Sequence, residues 1–145
     1  MPYQRMSDDE VHAFLTGDPP RPGVLATTRQ DGRPHAAPVW YVVDDDGTIV
    51  FTTGASTVKG RTLRRTNWAA MAVDDDRPPF SFVTVEGPVT ISEDLAEVRE
   101  WAARIGGRYM GAERAEEYGR RNSAPGELVV RIKPTKVLSA FNVAE

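Results

Sequence analysis

The residues best suited to chemistry lie in one short segment, FTTGASTVKGRTLRR, which runs from Phe51 to Arg65. Four of its last seven residues are cationic: Lys59, Arg61, Arg64 and Arg65. The chain has a formal net charge of -3, yet no acid occurs between Thr48 and Val73. A local positive field in an acidic protein favours a small anionic ligand over a long polyanion such as DNA. A solvated basic helix face is the alternative that the charges alone leave open.

The start of this segment has the residue types of a phosphate site. A predicted strand and turn supply small or hydroxyl-bearing residues: Thr52, Thr53, Gly54, Ser56 and Thr57. Ser56 or Thr57 is the predicted N-cap of a short helix, whose unpaired N–H groups would point outward. Lys59 in the first turn adds a full charge, and Arg64 could face the same side. The segment therefore predicts a phosphate site, although its spacing does not match a Walker loop.

The sequence lacks the usual sets of catalytic residues. The absence of cysteine excludes disulfides, thiol nucleophiles and thiolate metal sites. His12 and His35 are too far apart in sequence to suggest a metal site, and His35 fits a surface or strand-end position better than a catalytic triad. The acidic runs 44–46 and 74–76 stand at predicted turns, where Asp is expected, although they could bind a hard cation. With an anion site and no acid–base set, the reactive atoms can belong to a cofactor.

The strand PVWYVV could supply a wall for such a cofactor. Trp40 and Tyr41 point to opposite faces of the strand, so only one of them can line the interior of a barrel. A planar ring ligand needs flat apolar walls and a few backbone hydrogen bonds. The strand alone leaves open that Trp40 is an ordinary core residue.

The elements that must position these residues fit a single domain spanning residues 1–145. Ser7 and Glu10 predict a capping box for a first helix. Asp31-Gly32 and Asp46-Gly47 predict the turns between three antiparallel strands. No apolar run approaches the roughly 20 residues of a membrane span. The N-terminus has no signal-peptide pattern, which predicts a cytoplasmic protein.

The second half of the chain is predicted to complete a barrel. SFVTVEGPVTIS is read as two strands that turn near Glu86-Gly87-Pro88. EDLAEVREWAARIGG predicts a helix that Gly106-Gly107 stops, and AERAEEYGRR a weaker one. ELVVRIKPTKVLSAF predicts one or two closing strands. Many short antiparallel strands in a small chain favour closure into a barrel, because closure removes exposed edges.

Three linked stretches carry a resemblance to a known family: LATTRQDGRPHAAPVW, IVFTTGASTVKGRTLRRTNWAAMAV and VVRIKPTKVLS. Together they resemble the split β-barrel flavin and deazaflavin oxidoreductases, the group that includes pyridoxamine 5'-phosphate oxidase. The DGRP…PVW pattern is similar to the branch that uses coenzyme F420, an 8-hydroxy-5-deazaflavin with a phosphodiester and a polyglutamate tail. The resemblance implies a mainly β fold with helices: a six-stranded antiparallel split β-barrel that forms a homodimer with two cofactors at its interface.

The resemblance also implies the cofactor-binding residues. Lys59 would hold the cofactor phosphate, with Arg64 assisting there or at the acidic tail. The residues bordering the phosphate would be Thr52, Thr53, Ser56, Thr57 and Val58. The residues along the ring would be Pro38, Val39 and Trp40. Val58 stands where the oxidase branch has Arg, and the C-terminus FNVAE lacks that branch's basic motif, so oxidation of pyridoxamine phosphate is not expected.

The expected function is hydride transfer from reduced F420 to an electron-poor organic substrate such as an enone, a quinone or a tetrapyrrole. The same fold with FMN as cofactor is the first alternative, and a non-catalytic haem-binding or carrier protein is the second. Nucleic-acid binding is disfavoured, because no basic strand carries interleaved aromatic residues.

Overall fold

The computed structural model describes residues 4–145. The helices are α1 (Asp8–Leu15), α2 (Val58–Thr66), α3 (Leu95–Met110) and α4 (Ala115–Arg121), with a 3-10 turn at Ala112–Arg114 before α4. The strands are β1 (Gly23–Thr28), β2 (Pro34–Val39), β3 (Val42–Val43), β4 (Ile49–Gly54), β5 (Trp68–Asp75), β6 (Ser81–Ser92), β7 (Glu127–Ile132) and β8 (Lys136–Ala140). None of the helices within the described residues is long and apolar enough to cross a membrane.

The strands form one curled antiparallel sheet in the order β2-β1-β5-β6-β7-β4-β3, with β8 also paired to β6. The long strand β6 joins the two halves of the sheet: its first part pairs with β5 and β8, and its last four residues pair with β7. The sheet curls into a half-barrel, so the predicted split-barrel fold is confirmed. Within residues 4–145 it has eight strands rather than six, because two short pieces, β3 and β8, also pair.

The larger hydrophobic core lies on one face of the curled sheet. Leu25, Phe51 and Val85 are fully or almost fully buried there, and Leu63 anchors α2 against them. A second cluster on the other face of β4 and β7 packs Val50 and Val129 against α3. The two-residue period of β4 thus places alternate side chains in two different cores. As a result, α2 and α3 are held on opposite sides of the same strand.

Local signals predict the start of the chain well. The capping box of α1 is present, with hydrogen bonds from Ser7 N to Glu10 Oε1 (2.9 Å) and from Glu10 N to Ser7 Oγ (3.2 Å). The predicted turn glycines, Gly32 and Gly47, adopt φ values of 87° and 86°. Such values are favourable for glycine and rare for other residues, so both predicted turns are confirmed.

The predicted turn near Glu86-Gly87-Pro88 is wrong. β6 runs through this stretch without reversing, and Glu86 still pairs with Lys136 of β8. A Cβ atom on Gly87 would lie 1.8 Å from the carbonyl oxygen of Lys133. The glycine therefore allows the connection between β7 and β8 to cross closely over β6, rather than marking a turn.

The predicted helix stop at Gly106-Gly107 is also wrong, because α3 continues to Met110. A Cβ atom on Gly106 would lie 2.2 Å from Cβ of Tyr118. Gly106 thus serves the close packing of α3 against α4, and this need outweighs its poor helix propensity.

Gly87→Ala should destabilise the fold by about 1–3 kcal/mol, the typical cost of overpacking a tightly packed position. The neighbouring change Thr90→Ala removes an exposed side chain from the same strand and should change the free energy of unfolding by less than about 0.5 kcal/mol. Urea denaturation followed by circular dichroism measures both. Equal stability of Gly87→Ala and the parent protein would contradict the proposed close crossing.

Candidate functional site

The N-terminus of α2 is held in place by Thr57, one of the two predicted cap residues. The N–H of Gly60 donates to Oγ1 of Thr57 (3.0 Å), and that hydroxyl donates to the carbonyl oxygen of Gly54 (2.8 Å). The buried Oγ1 of Thr53 lies 3.3 Å from Oγ1 of Thr57. The Thr57 hydroxyl is therefore fully used by the helix cap, and the Thr53 hydroxyl contacts it from the strand end.

Gly60 brings the helix directly onto the turn that follows β4. A Cβ atom at this position would lie 2.1 Å from the carbonyl oxygen of Gly54 and 3.1 Å from Cα of Ala55. Only a residue without a side chain allows this approach. The first turn of α2 and the end of β4 therefore form one rigid unit.

This arrangement leaves hydrogen-bond donors facing outward at the start of α2. No hydrogen bond within residues 4–145 uses the N–H groups of Val58 and Lys59 or the hydroxyl of exposed Ser56. Nor does any ion pair in that range involve the half-buried Lys59. The free N–H groups and the ammonium together could hold an anion, and we call them the candidate anion site.

A cleft of about 700 Å³ lies beside α2, between that helix and the β1–β2 hairpin. Its lining residues are Arg29, Gln30, Asp31, His35, Val58, Arg61, Thr62 and Arg65. The guanidinium of Arg65 donates to the carbonyl oxygen of Thr28 and so ties the helix to the hairpin. Val58 belongs both to this cleft and to the first turn of α2, so the cleft extends from the candidate anion site.

The electrostatics of the cleft are positive. Its one carboxylate, Asp31, accepts a hydrogen bond from Arg33 (2.8 Å), which lowers the pKa of the Asp31 carboxyl. No ion pair within the described residues involves Arg29 or Arg61. Since Arg33 neutralises the carboxylate, the arginines of the cleft wall keep an excess of positive charge.

Two buried polar atoms beside the hairpin lack a hydrogen-bond partner among residues 4–145: Oγ1 of Thr27 and Nδ1 of His35. The two residues are direct cross-strand neighbours, and His35 lines the cleft. No sequence pattern indicates Arg29 as a site residue, and His35 is predicted only at a surface or strand end. Both approach α2 only after the hairpin docks on it, and no local motif encodes that docking.

Arg64 and Thr52 lie apart from the candidate anion site. Arg64 forms an ion pair with Glu93 and lines a separate, smaller pocket with Asn67 and Ile91. Thr52 pairs with Val129 on the α3 side of β4, whereas Thr53 points to the larger core. The structure thus brings Thr53, Thr57 and Lys59 together at one strand end.

The predicted ring wall lies where β2 ends. Pro38 is exposed, Val39 is buried, and Trp40 is 39% exposed. The alternative that Trp40 is a core residue is wrong, because Tyr41 is the fully buried neighbour. The Trp40 ring stacks on Tyr109, with centroids 5.0 Å apart and planes 3° from parallel.

The phenols behind this wall are protonated and at least partly buried. Desolvation raises the pKa of Tyr41 to about 12, and it also raises the pKa of Tyr109. The Tyr41 hydroxyl donates to the carbonyl oxygen of Leu15 (2.7 Å). Both groups are therefore structural donors near neutral pH. Within residues 4–145, no group of three or more His, Asp or Glu side chains could hold a metal ion.

Comparison with known proteins identifies relatives of this chain. The sequence model of the family pyridoxamine 5'-phosphate oxidase matches residues 7–140. A comparison with curated proteins finds no significant match. Among solved structures, the conserved hypothetical protein Rv2991 from Mycobacterium tuberculosis is similar, with 28% identity, a TM-score of 0.82, and coverage of 94% of this chain and 86% of that one.

Two further structures share the fold. A protein described as an F420 reductase is 25% identical with a TM-score of 0.68, and the match covers 88% of this chain and 94% of that chain. An FAD-binding protein from Mesorhizobium loti is 19% identical with a TM-score of 0.68, and the match covers 96% of each chain. At 19% identity, the similarity to the FAD-binding protein concerns the fold alone.

Gly60→Ala should lower the free energy of unfolding by about 1–3 kcal/mol, because its methyl group would collide with the Gly54 backbone. Arg61→Ala, one residue further along α2 and exposed, should change it by less than about 0.5 kcal/mol. Thermal and urea unfolding of the two variants measure the difference. If Gly60→Ala were as stable as Arg61→Ala, the helix would not rest on the turn as described.

Proposed function

The chain belongs to the pyridoxamine 5'-phosphate oxidase family, and on that premise we propose that it is an oxidoreductase dependent on coenzyme F420. The reaction is transfer of a hydride from the reduced deazaflavin to an electron-poor organic substrate. An F420 reductase with the same fold at 25% identity supports this choice of cofactor. When bound, the deazaflavin supplies the hydride chemistry, and the protein supplies binding and orientation.

The observation that carries the proposal is the set of free donors at the start of α2. The N–H groups of Val58 and Lys59, the Ser56 hydroxyl and the Lys59 ammonium are not used within the described fold. A phosphate diester presents oxygens that accept from such donors, and the helix dipole favours its negative charge. These residues therefore fit the cofactor phosphate, with Lys59 as its charged partner.

The adjoining cleft fits the acidic tail of F420 better than it fits FMN. Arg29, Arg61 and Arg65 line it, and its one acid is paired with Arg33. FMN ends at its phosphate and would leave the guanidinium groups of Arg29 and Arg61 without a partner. A chain of glutamates would place carboxylates along them. Arg64 would contact the ligand only if its ion pair with Glu93 broke. We therefore assign the tail to the cleft arginines rather than to Arg64.

The ring of the cofactor would lie along Pro38, Val39 and Trp40, at the exposed edge of the sheet that β2 forms. Pro38 and Trp40 are exposed there, whereas the side chain of Val39 is buried. Val39 would therefore contact the ring only through its backbone. Pro38, Val39 and Trp40 include no acid or base. A proton that accompanies the hydride would come from water or from the substrate itself.

A second copy of the chain would complete the site. One row of residues crosses the outer face of the sheet: Pro38, Val24, Ala72, Thr84 and Leu138. The row contains no charge, and Val24 and Leu138 are 40% and 53% exposed. A flat apolar row of this kind is suited to contact with an identical sheet. Because the row begins at Pro38, such a homodimer would place the cofactor at its interface.

Titration of the purified protein with F420, FMN and haem tests the cofactor. F420 should bind more tightly than the other two, and Lys59→Ala should weaken it about tenfold to a hundredfold, the range for a lost charge-assisted hydrogen bond. Lys133→Ala removes an equal charge from the exposed β7–β8 connection and should leave the affinity unchanged. Cofactor fluorescence and absorbance follow the titrations.

The other outcomes of this titration are equally informative. Preference for FMN would replace the deazaflavin with the flavin, and preference for haem would make the protein a carrier. Unchanged F420 affinity in Lys59→Ala would refute the phosphate assignment. Reduced F420 should also be oxidised by an enone or quinone acceptor in the presence of the protein. Tight binding without such turnover would contradict the enzymatic role.

Leu138→Glu should convert the dimer to a monomer, because it buries a charge within the proposed interface. The control Ala124→Glu adds the same charge at an exposed turn before β7 and should stay dimeric. Light scattering coupled to size-exclusion chromatography measures the mass. The monomeric variant should also bind F420 more weakly. A monomeric parent protein would refute the interface.

A further inference from the structure

Trp40 is unusual among the exposed aromatic residues because its ring is fixed. Tyr109 covers one face of the indole at 5.0 Å, and Tyr118 meets it at a centroid distance of 6.0 Å with planes tilted by 59°. Parallel stacking and tilted contact are both favourable aromatic geometries. Trp40 therefore presents a partly exposed ring whose orientation is set before any ligand arrives.

Tyr109 is itself anchored by its hydroxyl as well as by its ring. The hydroxyl donates to the carbonyl oxygen of Arg21 (2.7 Å) and accepts from the N–H of Tyr41 (3.4 Å). These bonds tie the end of α3 to the segment before β1 and to the residue after Trp40. The stacking partner of Trp40 is thus fixed from two directions.

The neighbouring guanidinium strengthens this anchor. Arg108 donates to the carbonyl oxygens of Tyr41 (2.7 Å) and Leu15 (2.8 Å). Its charged carbon lies 4.7 Å from the ring centroid of Tyr41 and 5.1 Å from that of Tyr109. Cation–π contacts at this range are attractive. The last turn of α3 is therefore locked to the backbone that carries Trp40.

The close packing of α3 on α4 supplies the second contact. Gly106 lets the two helices approach until its own Cα lies beside Tyr118, which is buried. This approach brings the Tyr118 ring to the side of the indole. The α3–α4 pair contributes no residue to the phosphate site or to the arginine cleft, so its contact with the proposed ligand site runs through Trp40.

We propose that Tyr109 is a positioning residue, whose ring and hydroxyl hold the Trp40 indole as a preformed wall for the ring of the cofactor. The inference rests on the proposed function, since it assumes that the cofactor ring lies along β2. A wall fixed before binding loses little side-chain freedom when the ligand stacks on it. Tyr109 acts on the ligand only through Trp40.

A double-mutant cycle on F420 affinity tests this dependence. Trp40→Leu and Tyr109→Leu should each weaken binding about tenfold, the upper range for loss of one aromatic stack. The double variant should be no weaker than Trp40→Leu alone, because Tyr109 has no effect without the indole. Tyr109→Phe keeps the stack but loses the hydroxyl, and it should weaken binding about threefold. Phe80→Leu, which removes an exposed ring from the connection between β5 and β6, should bind like the parent protein.

Near-ultraviolet circular dichroism of the free protein gives a readout independent of activity. The signal of the Trp40–Tyr109 stack should disappear in Tyr109→Leu and persist in Tyr109→Phe. If Tyr109→Leu fails to fold, Tyr109→Phe and Trp40→Leu still carry the test.

The results separate this inference from the proposed function. If the parent binds F420 and Lys59→Ala loses that affinity, while Trp40→Leu binds normally, the ring wall at Trp40 and the positioning role of Tyr109 are refuted, and the phosphate assignment stands. Additive losses of about a hundredfold in the double variant would also refute it, because Tyr109 would then act independently. Lower thermal stability of Tyr109→Leu with unchanged affinity indicates a purely structural role. A parent protein that binds no F420 overturns both proposals.

Discussion

The contact between the first turn of α2 and the backbone of Gly54 is the constraint on which the site depends. Gly60 has no side chain, so the helix can rest on the strand end, and Thr57 closes the contact with both of its hydroxyl hydrogen bonds. The Thr57 side chain caps Gly60, and within residues 4–145 the N–H groups of Val58 and Lys59 have no hydrogen-bond partner. Donors suited to an anion thus follow from the way the helix is attached, and the charge of Lys59 adds to them.

The positive field of the cleft persists because the one acid in its lining is already paired. Arg33 binds Asp31 at the hairpin turn, and Glu93 pairs with Arg64 on the far side of the helix. If those carboxylates were free, they would compete with a ligand for Arg29, Arg61 and Arg65. The chain can therefore be acidic overall and basic in the cleft, because the acid beside the cleft arginines is paired with Arg33.

Local chemistry in the sequence predicts the elements but not their close contacts. The Ser7 capping box, the turn glycines and the α2 cap all act over a few residues, so the sequence shows them directly. Gly87 and Gly106 mislead, because a glycine that makes room for a distant backbone or ring resembles one that ends an element. The hairpin residues of the cleft are equally hidden from local sequence patterns, because His35 and Arg29 meet α2 only through tertiary packing.

The proposed ligand would be held by two parts of the fold with separate foundations. α2 is anchored in the larger core by Leu63, whereas Trp40 is held by Tyr109 at the end of α3, on the other side of the sheet. Because these anchors share no side chain, a change in the aromatic wall can alter how a ring is oriented without loosening the phosphate site. In hydride transfer, orientation of the reacting ring is a large part of what a protein can contribute. Under the proposed function, a change in the α3–α4 pair is therefore expected to alter the orientation of the cofactor ring while the contacts at α2 stay the same.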